Sequence, residues 1–228
     1  LVSALGGEPR RTADQGRGPR FSPDGAWIAY WVGDQSGFSR NKLLVMPSAG
    51  GQPRQLQPEF FSAYFPLWSP DSKLLLFLGV RDGNAAGPQR YDWWVTPLEG
   101  GTAVKTGAFA SLNRHKLTPL LRDAGEWTGE HLIFSSGTES NASLWRIPIS
   151  SRSRKAEGDP HQLTFSTGVD VHPSAGDGRL VFASTSGNPD LWSLALDAQG
   201  KVAGQMQRLT SNTAGDTSPS VSADGRRV

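Results

Sequence analysis

The chain contains no cysteine. Disulfides, thiolate nucleophiles and cysteine-ligated zinc are therefore excluded. A large β core needs no disulfide in the cytoplasm or the periplasm, so the compartment stays open, with an extracytoplasmic setting preferred. The chain also lacks an excess of charge of one sign: 23 Lys and Arg stand against 21 Asp and Glu. Such a balance argues against a dedicated nucleic-acid or membrane-surface binder. No apolar run approaches the roughly 20 residues of a membrane-spanning helix. Catalytic signatures are missing as well. Gly33-Asp34-Gln35-Ser36-Gly37 has the wrong spacing for a nucleophile elbow, and there is no His-Glu-X-X-His, no Walker loop and no Gly-X-Gly-X-X-Gly. His115, His131, His161 and His172 show no ligand-like spacing. The expectation is a chain with no catalytic residue, no metal and no cofactor.

Glycine and proline, by contrast, are abundant, at 27 and 16 residues. That suits short strands joined by many turns. The turns belong to a repeat. Pro19-Arg20-Phe21-Ser22-Pro23-Asp24-Gly25 opens one unit and Pro66-Leu67-Trp68-Ser69-Pro70-Asp71-Ser72 the next. Glu126-Trp127-Thr128-Gly129 is a degenerate third opening, and Pro173 with Gly176-Asp177-Gly178 is the fourth. Pro219-Ser220-Val221-Ser222-Ala223-Asp224-Gly225 begins a fifth. The recurring Asp24, Asp71, Asp177 and Asp224 are read as turn residues, whose carboxylates bond nearby backbone, and not as calcium ligands.

Each opening leads into an apolar run marked by Tyr30, Phe77, Phe134 or Phe182, spaced 47 to 57 residues apart. A second apolar strand follows, as in Leu43-Leu44-Val45-Met46, Trp93-Trp94-Val95, Leu144-Trp145-Arg146-Ile147 and Leu191-Trp192-Ser193-Leu194. Short closing strands such as Gln162-Leu163-Thr164 and Arg208-Leu209-Thr210 end the units. About 40–50 residues per unit is the size of a four-stranded propeller blade. The predicted fold class is all-β: a β-propeller of four-stranded antiparallel blades, about four complete, with partial blades at both ends. The boundaries are a partial blade at 1–15, blades at about 16–60, 61–110, 120–166 and 167–212, and a partial blade at 213–228. Residues 103–125 exceed the repeat and are expected to form a surface loop. Trp68, Trp94, Trp145 and Trp192 are expected at equivalent or near-equivalent blade-packing positions. The start at Leu1 and the stop at Val228, inside a repeated pattern, read as truncations of a longer protein.

Ser-Pro-Asp-Gly, an apolar strand, Leu-Trp-X-Ile/Leu, Gly-Gly and Arg-Leu-Thr together resemble the TolB-like β-propeller repeat, over essentially the whole chain. The Gly-His and Trp-Asp marks of true WD-repeats are absent. The resemblance implies a non-catalytic module for protein interaction or ligand sensing, attached in bacterial signalling proteins to a kinase or a winged-helix domain. Two alternatives are the gating propeller of a prolyl-oligopeptidase-type peptidase and a periplasmic TolB-type envelope protein.

Strand order within a blade puts two sets of loops on one face of the disc. The first set includes Asp170 and Asp216, each three residues before an opening proline. The second spans about 33–41, 79–90, 135–143 and 184–190, which vary in length and composition while the opposite turns stay uniform. Variable loops on a repeated scaffold are where specificity sits. Asp170, Asp216, Arg81, Asp82 and Arg90 are therefore the candidate binding residues, for a protein partner or small ligand, with no nucleic-acid contact and no membrane span.

Overall fold

The computed structural model describes residues 8, 11–13, 15–34, 40–84, 90–121, 125–165, 167–186, 188–211, 216–222, 225 and 228, with backbone alone at 186, 188 and 189. The turn residue Asp224, the middles of the first two variable loops and most of residues 1–15 lie outside the described residues. Sixteen strands and one short helix appear among those described. The strands form four successive antiparallel meanders. The first is β1 (Arg17–Phe21), β2 (Trp27–Val32), β3 (Lys42–Pro47) and β4 (Arg54–Leu56). The second is β5 (Ser62–Trp68), β6 (Leu74–Val80), β7 (Asp92–Pro97) and β8 (Val104–Lys105). The third is β9 (Glu126–Thr128), β10 (His131–Gly137), β11 (Ala142–Pro148) and β12 (His161–Gln162). The fourth is β13 (Val169–Gly176), β14 (Arg179–Ser186), β15 (Asn188–Ala195) and β16 (Gln207–Arg208). One parallel bridge, Ala142 to Val169, joins the third to the fourth.

The repeat is visible in the register. Tyr30 lies opposite Leu44, Phe77 opposite Trp94, Phe134 opposite Trp145 and Phe182 opposite Trp192. Each landmark aromatic thus meets the same position of the third strand, the pairing that stabilises an antiparallel ladder. Trp68 is the exception to the expected equivalence. It ends the first strand of its meander opposite Leu75, where Phe21 lies opposite Ile28 and Trp127 opposite Leu132.

The opening turns follow their chemistry. Ser22 donates to Asp24 at 2.5 Å, Asp24 accepts from the Ala26 amide, and Ser22 Oγ accepts from the Trp27 amide. Ser69, Asp71, Lys73 and Leu74 repeat that network. Gly25 sits at φ 72°, and Ser72 adopts the same left-handed region at φ 61°.

Three apolar interfaces hold the meanders together. Leu43, Val45 and Leu56 of the first pack against Leu75, Phe77 and Trp94 of the second. Leu76, Trp93 and Val95 pack against Leu132, Phe134 and Ile147 of the third, and Ile133, Leu144 and Leu163 against Leu180, Phe182 and Leu194 of the fourth. The second strands are buried on both faces, β6 at every position but its first. A meander has two apolar faces and must stack to bury them.

The insertion departs from expectation. It contains α1 (Ala108–Arg114), which buries Ala108, Phe109, Ser111 and Leu112, and Phe109 meets Trp93 with ring centroids 5.0 Å apart. Those positions are spaced as one helical face, so this part of the insertion packs into the core, while Asn113 to Lys116 and Thr118 lie exposed as a surface segment would. Asp92 anchors the helix. Its buried carboxylate accepts from Thr106 Oγ1 at 3.1 Å and the Phe109 amide at 3.4 Å, and desolvation raises its pKa.

Candidate functional site: the central cavity

The first strands of all four meanders converge on one cavity of about 870 Å³. A recurring backbone device shapes its wall. Gly18, Phe65, His172 and Ser218 have φ of 54°, 54°, 54° and 57°, and each immediately precedes a repeat proline. In β1, β5 and β13 the pairing register shifts at this point. Left-handed backbone is costly for residues other than glycine, so its recurrence marks a bulge built into β1, β5 and β13, absent from β9. The residue after each proline, Arg20, Leu67, Ser174 or Ser220, then lines the cavity together with the bulged residue before it. Side chains two apart share one face of a strand.

The segment Ser218–Ser222 continues the pattern. The Val221 amide donates to Ser174 Oγ at 3.0 Å, and the Gly225 amide donates to the Ser222 carbonyl as Gly25 does to Ser22. Trp68 Nε1 donates to the Arg20 carbonyl at 2.9 Å, tying the second first-strand to the first.

The cavity wall is aromatic and donor-rich. Trp31, Trp68, Trp127, Phe21 and Phe65 supply rings. Phe21 is 53% exposed, while the other four are buried. Two arginines of β1 supply charge. Arg17 donates from Nε to the Gly33 carbonyl at 2.9 Å, and its guanidinium lies 5.8 Å from the Trp31 ring centroid. Arg20 reaches Glu126 of the third meander at 3.6 Å, with both side chains partly exposed.

The five residues singled out by sequence lie elsewhere; none lines the cavity. Asp170 corrects the expectation. It is fully buried in β13, where its carboxylate accepts from Thr164 Oγ1 at 2.5 Å and Ser184 Oγ at 2.6 Å. Burial and two hydroxyl donors withdraw it from any docking surface, and it joins the closing strand's threonine to β14. Asp216 is partly exposed beyond the fourth meander. Arg81 lies over Phe60 at 5.8 Å. Asp82 is exposed and accepts from the Asn84 amide, forming a local turn. Arg90 donates to the Tyr91 hydroxyl at 2.7 Å and stacks on its ring. The cavity residues Arg17, Arg20, Trp31, Glu126 and Trp127 escaped the sequence reading. For the two arginines the signal was the position relative to the repeat proline, two before for Arg17 and one after for Arg20.

No family model matches the chain. TolB from Acinetobacter baumannii superposes with a TM-score of 0.64 at 19% identity, over 99% of this chain and 51% of that one. The fold is a TolB-like β-propeller. A puromycin-hydrolyzing peptidase of Mycobacterium tuberculosis matches with a TM-score of 0.53 at 15% identity, over 87% of this chain and 29% of that one. An uncharacterized protein of Agrobacterium fabrum is 27% identical over 166 residues, covering 72% of this chain and 49% of that protein. The chain spans about half the length of that relative and of the Acinetobacter TolB. The cavity lies where the first strands of the four meanders converge. No helix among the described residues is long and apolar enough to cross a membrane.

Proposed function

We propose that the chain is a propeller segment that binds an extended polypeptide in its central cavity and performs no chemistry of its own. In this reading the meanders are four complete blades and Ser218 to Ser222 opens another. The observation that carries it is the convergence of four first strands and Ser218–Val221 on one cavity lined by aromatic rings and arginines. Concave sites with apolar walls and a few placed polar groups are where ligands bind. The likeness to TolB and to a peptidase supports an envelope-type or peptidase-gating propeller over a module attached to a signalling kinase or winged-helix regulator. A second contact on the loop face would fall to Asp216, Arg81, Asp82 and Arg90, since Asp170 is fully buried.

Tryptophan emission reports on the cavity, because Trp31, Trp68 and Trp127 line it. An uncharged hexapeptide of alternating Ser and Gln should shift that emission saturably. Ser220→Trp, at an exposed position of the wall, should fill the cavity and abolish the shift while the circular dichroism stays unchanged. Undiminished binding by a folded Ser220→Trp chain would place the site elsewhere.

A further inference from the structure

The charges around the cavity are unevenly distributed. Two arginines face it from β1, and Glu126 is the carboxylate among its lining side chains. Arg17 spends its Nε hydrogen on a carbonyl and rests beside a tryptophan, and no carboxylate partners it among the described residues. Arg20 meets Glu126 from two blades away at 3.6 Å, a loose ion pair between partly exposed side chains. Among the described residues the wall thus offers two guanidinium groups against one carboxylate. Guanidinium groups recognise carboxylates through paired N–H donors, so this excess has a defined complement.

We propose that the cavity selects a carboxylate-bearing ligand, and that Glu126 is a resident carboxylate on Arg20 which that ligand displaces. This rests on the cavity being the binding site, and it adds the ligand's charge and a named specificity residue. The physical case is the weakness of the resident pair. A partly exposed pair at this separation is screened by solvent, so exchanging one carboxylate for another at Arg20 meets little resistance. Glu126 also repels an incoming anion, so it sets a threshold that a single neutral segment does not feel. Arg17, with no internal carboxylate, provides the second point of charge along β1.

The same chemistry arises from an acidic peptide or from a free dicarboxylate, and the experiment separates them. The full chain is titrated with hexaglutamate, with the uncharged Ser-Gln hexapeptide, with hexalysine and with glutarate, at 50 and 200 mM salt. Hexaglutamate should bind the unmodified chain more tightly than the uncharged peptide and lose that advantage at high salt, a comparison that needs no variant. Glu126→Gln should then tighten hexaglutamate about fivefold or more, and Arg20→Gln should weaken it by a similar factor, with the uncharged peptide unmoved by either. Glutarate binding as tightly as hexaglutamate would identify a small dicarboxylate and still uphold the carboxylate site. If the uncharged peptide binds as well as hexaglutamate, or Glu126→Gln leaves hexaglutamate unchanged, the selectivity is refuted while the cavity reading stands. Tighter binding of hexalysine refutes it as well. If no probe binds, both ideas fall.

Discussion

Aspartates that look alike in the repeat do different work. Asp24 and Asp71 cap their turns, where hydrogen bonds from Ser22 and Ser69 lower their pKa values. Asp170 is fully buried between Thr164 and Ser184, and Asp92 is buried against α1. The turn role was legible because Ser-Pro-Asp-Gly carries its own local geometry. The role of Asp170 was not, because its partners lie six and fourteen residues away and burial is set by neighbouring strands. The difference is measurable. Asp170→Ala strands two buried hydroxyls without their acceptor and should lower the unfolding free energy by about 2–3 kcal/mol in urea denaturation. Asp216→Ala, at a partly exposed position, should change it by less than about 1 kcal/mol. Equal effects at the two sites would show that burial does not separate their roles.

At the scale of strands and turns, the repeat period located the second and third strands, since an aromatic recurs in each second strand and faces a tryptophan in three of the four units. The insertion was illegible by the same logic: Ala108–Arg114 is only seven residues, and no repeat position corresponds to it. The closing segment after the fourth blade's third strand carries a further link that sequence did not expose. Arg146 of β11, mostly buried, donates from Nη1 to the Gln199 carbonyl at 2.6 Å, fastening the third blade to the turn Asp197–Gly200 of the fourth. The same Nη1 lies 2.9 Å from His131 Nε2, so that nitrogen must be the unprotonated acceptor. Burial lowers the His131 pKa, Arg146 and His161 lower it further, and Glu130 opposes them. The unfolded chain, with an ordinary histidine near 6.5, therefore takes up the proton first. This contribution to stability is complete above about pH 6.5 and declines as pH falls through the lowered value. Thermal unfolding of the native chain should accordingly lose stability as pH falls below about 6.5 more steeply than His131→Gln. Identical pH profiles would mean that folding leaves the proton affinity of His131 unchanged.

Across the described residues as a whole, the four meanders do not share one uniform core. The interfaces flanking the second blade are dense with rings: Phe60 meets Trp94 at 4.8 Å, and Trp93 meets Phe134 at 5.4 Å. β7 is buried from Asp92 through Thr96. In the fourth blade β15 is only partly buried from Leu191 through Ser193, β16 is exposed at both residues, and Val202, Met206 and Leu209 are 40–45% exposed. In stacked repeats, stability is a sum of each unit and its interfaces, so the unit with the thinner interface opens first. The link through Arg146 and Gln199 restrains that opening without supplying apolar contact. Amide hydrogen exchange should therefore find Leu191 to Leu194 exchanging at least about tenfold faster than Trp93 to Thr96, a difference of about 1.4 kcal/mol in opening free energy. Arg146→Met, which removes the fastening, should widen the gap by speeding the fourth blade while leaving the second unchanged. Uniform exchange through all four blades would show that the segment opens only as one cooperative unit, and the cavity wall would then have no softer side.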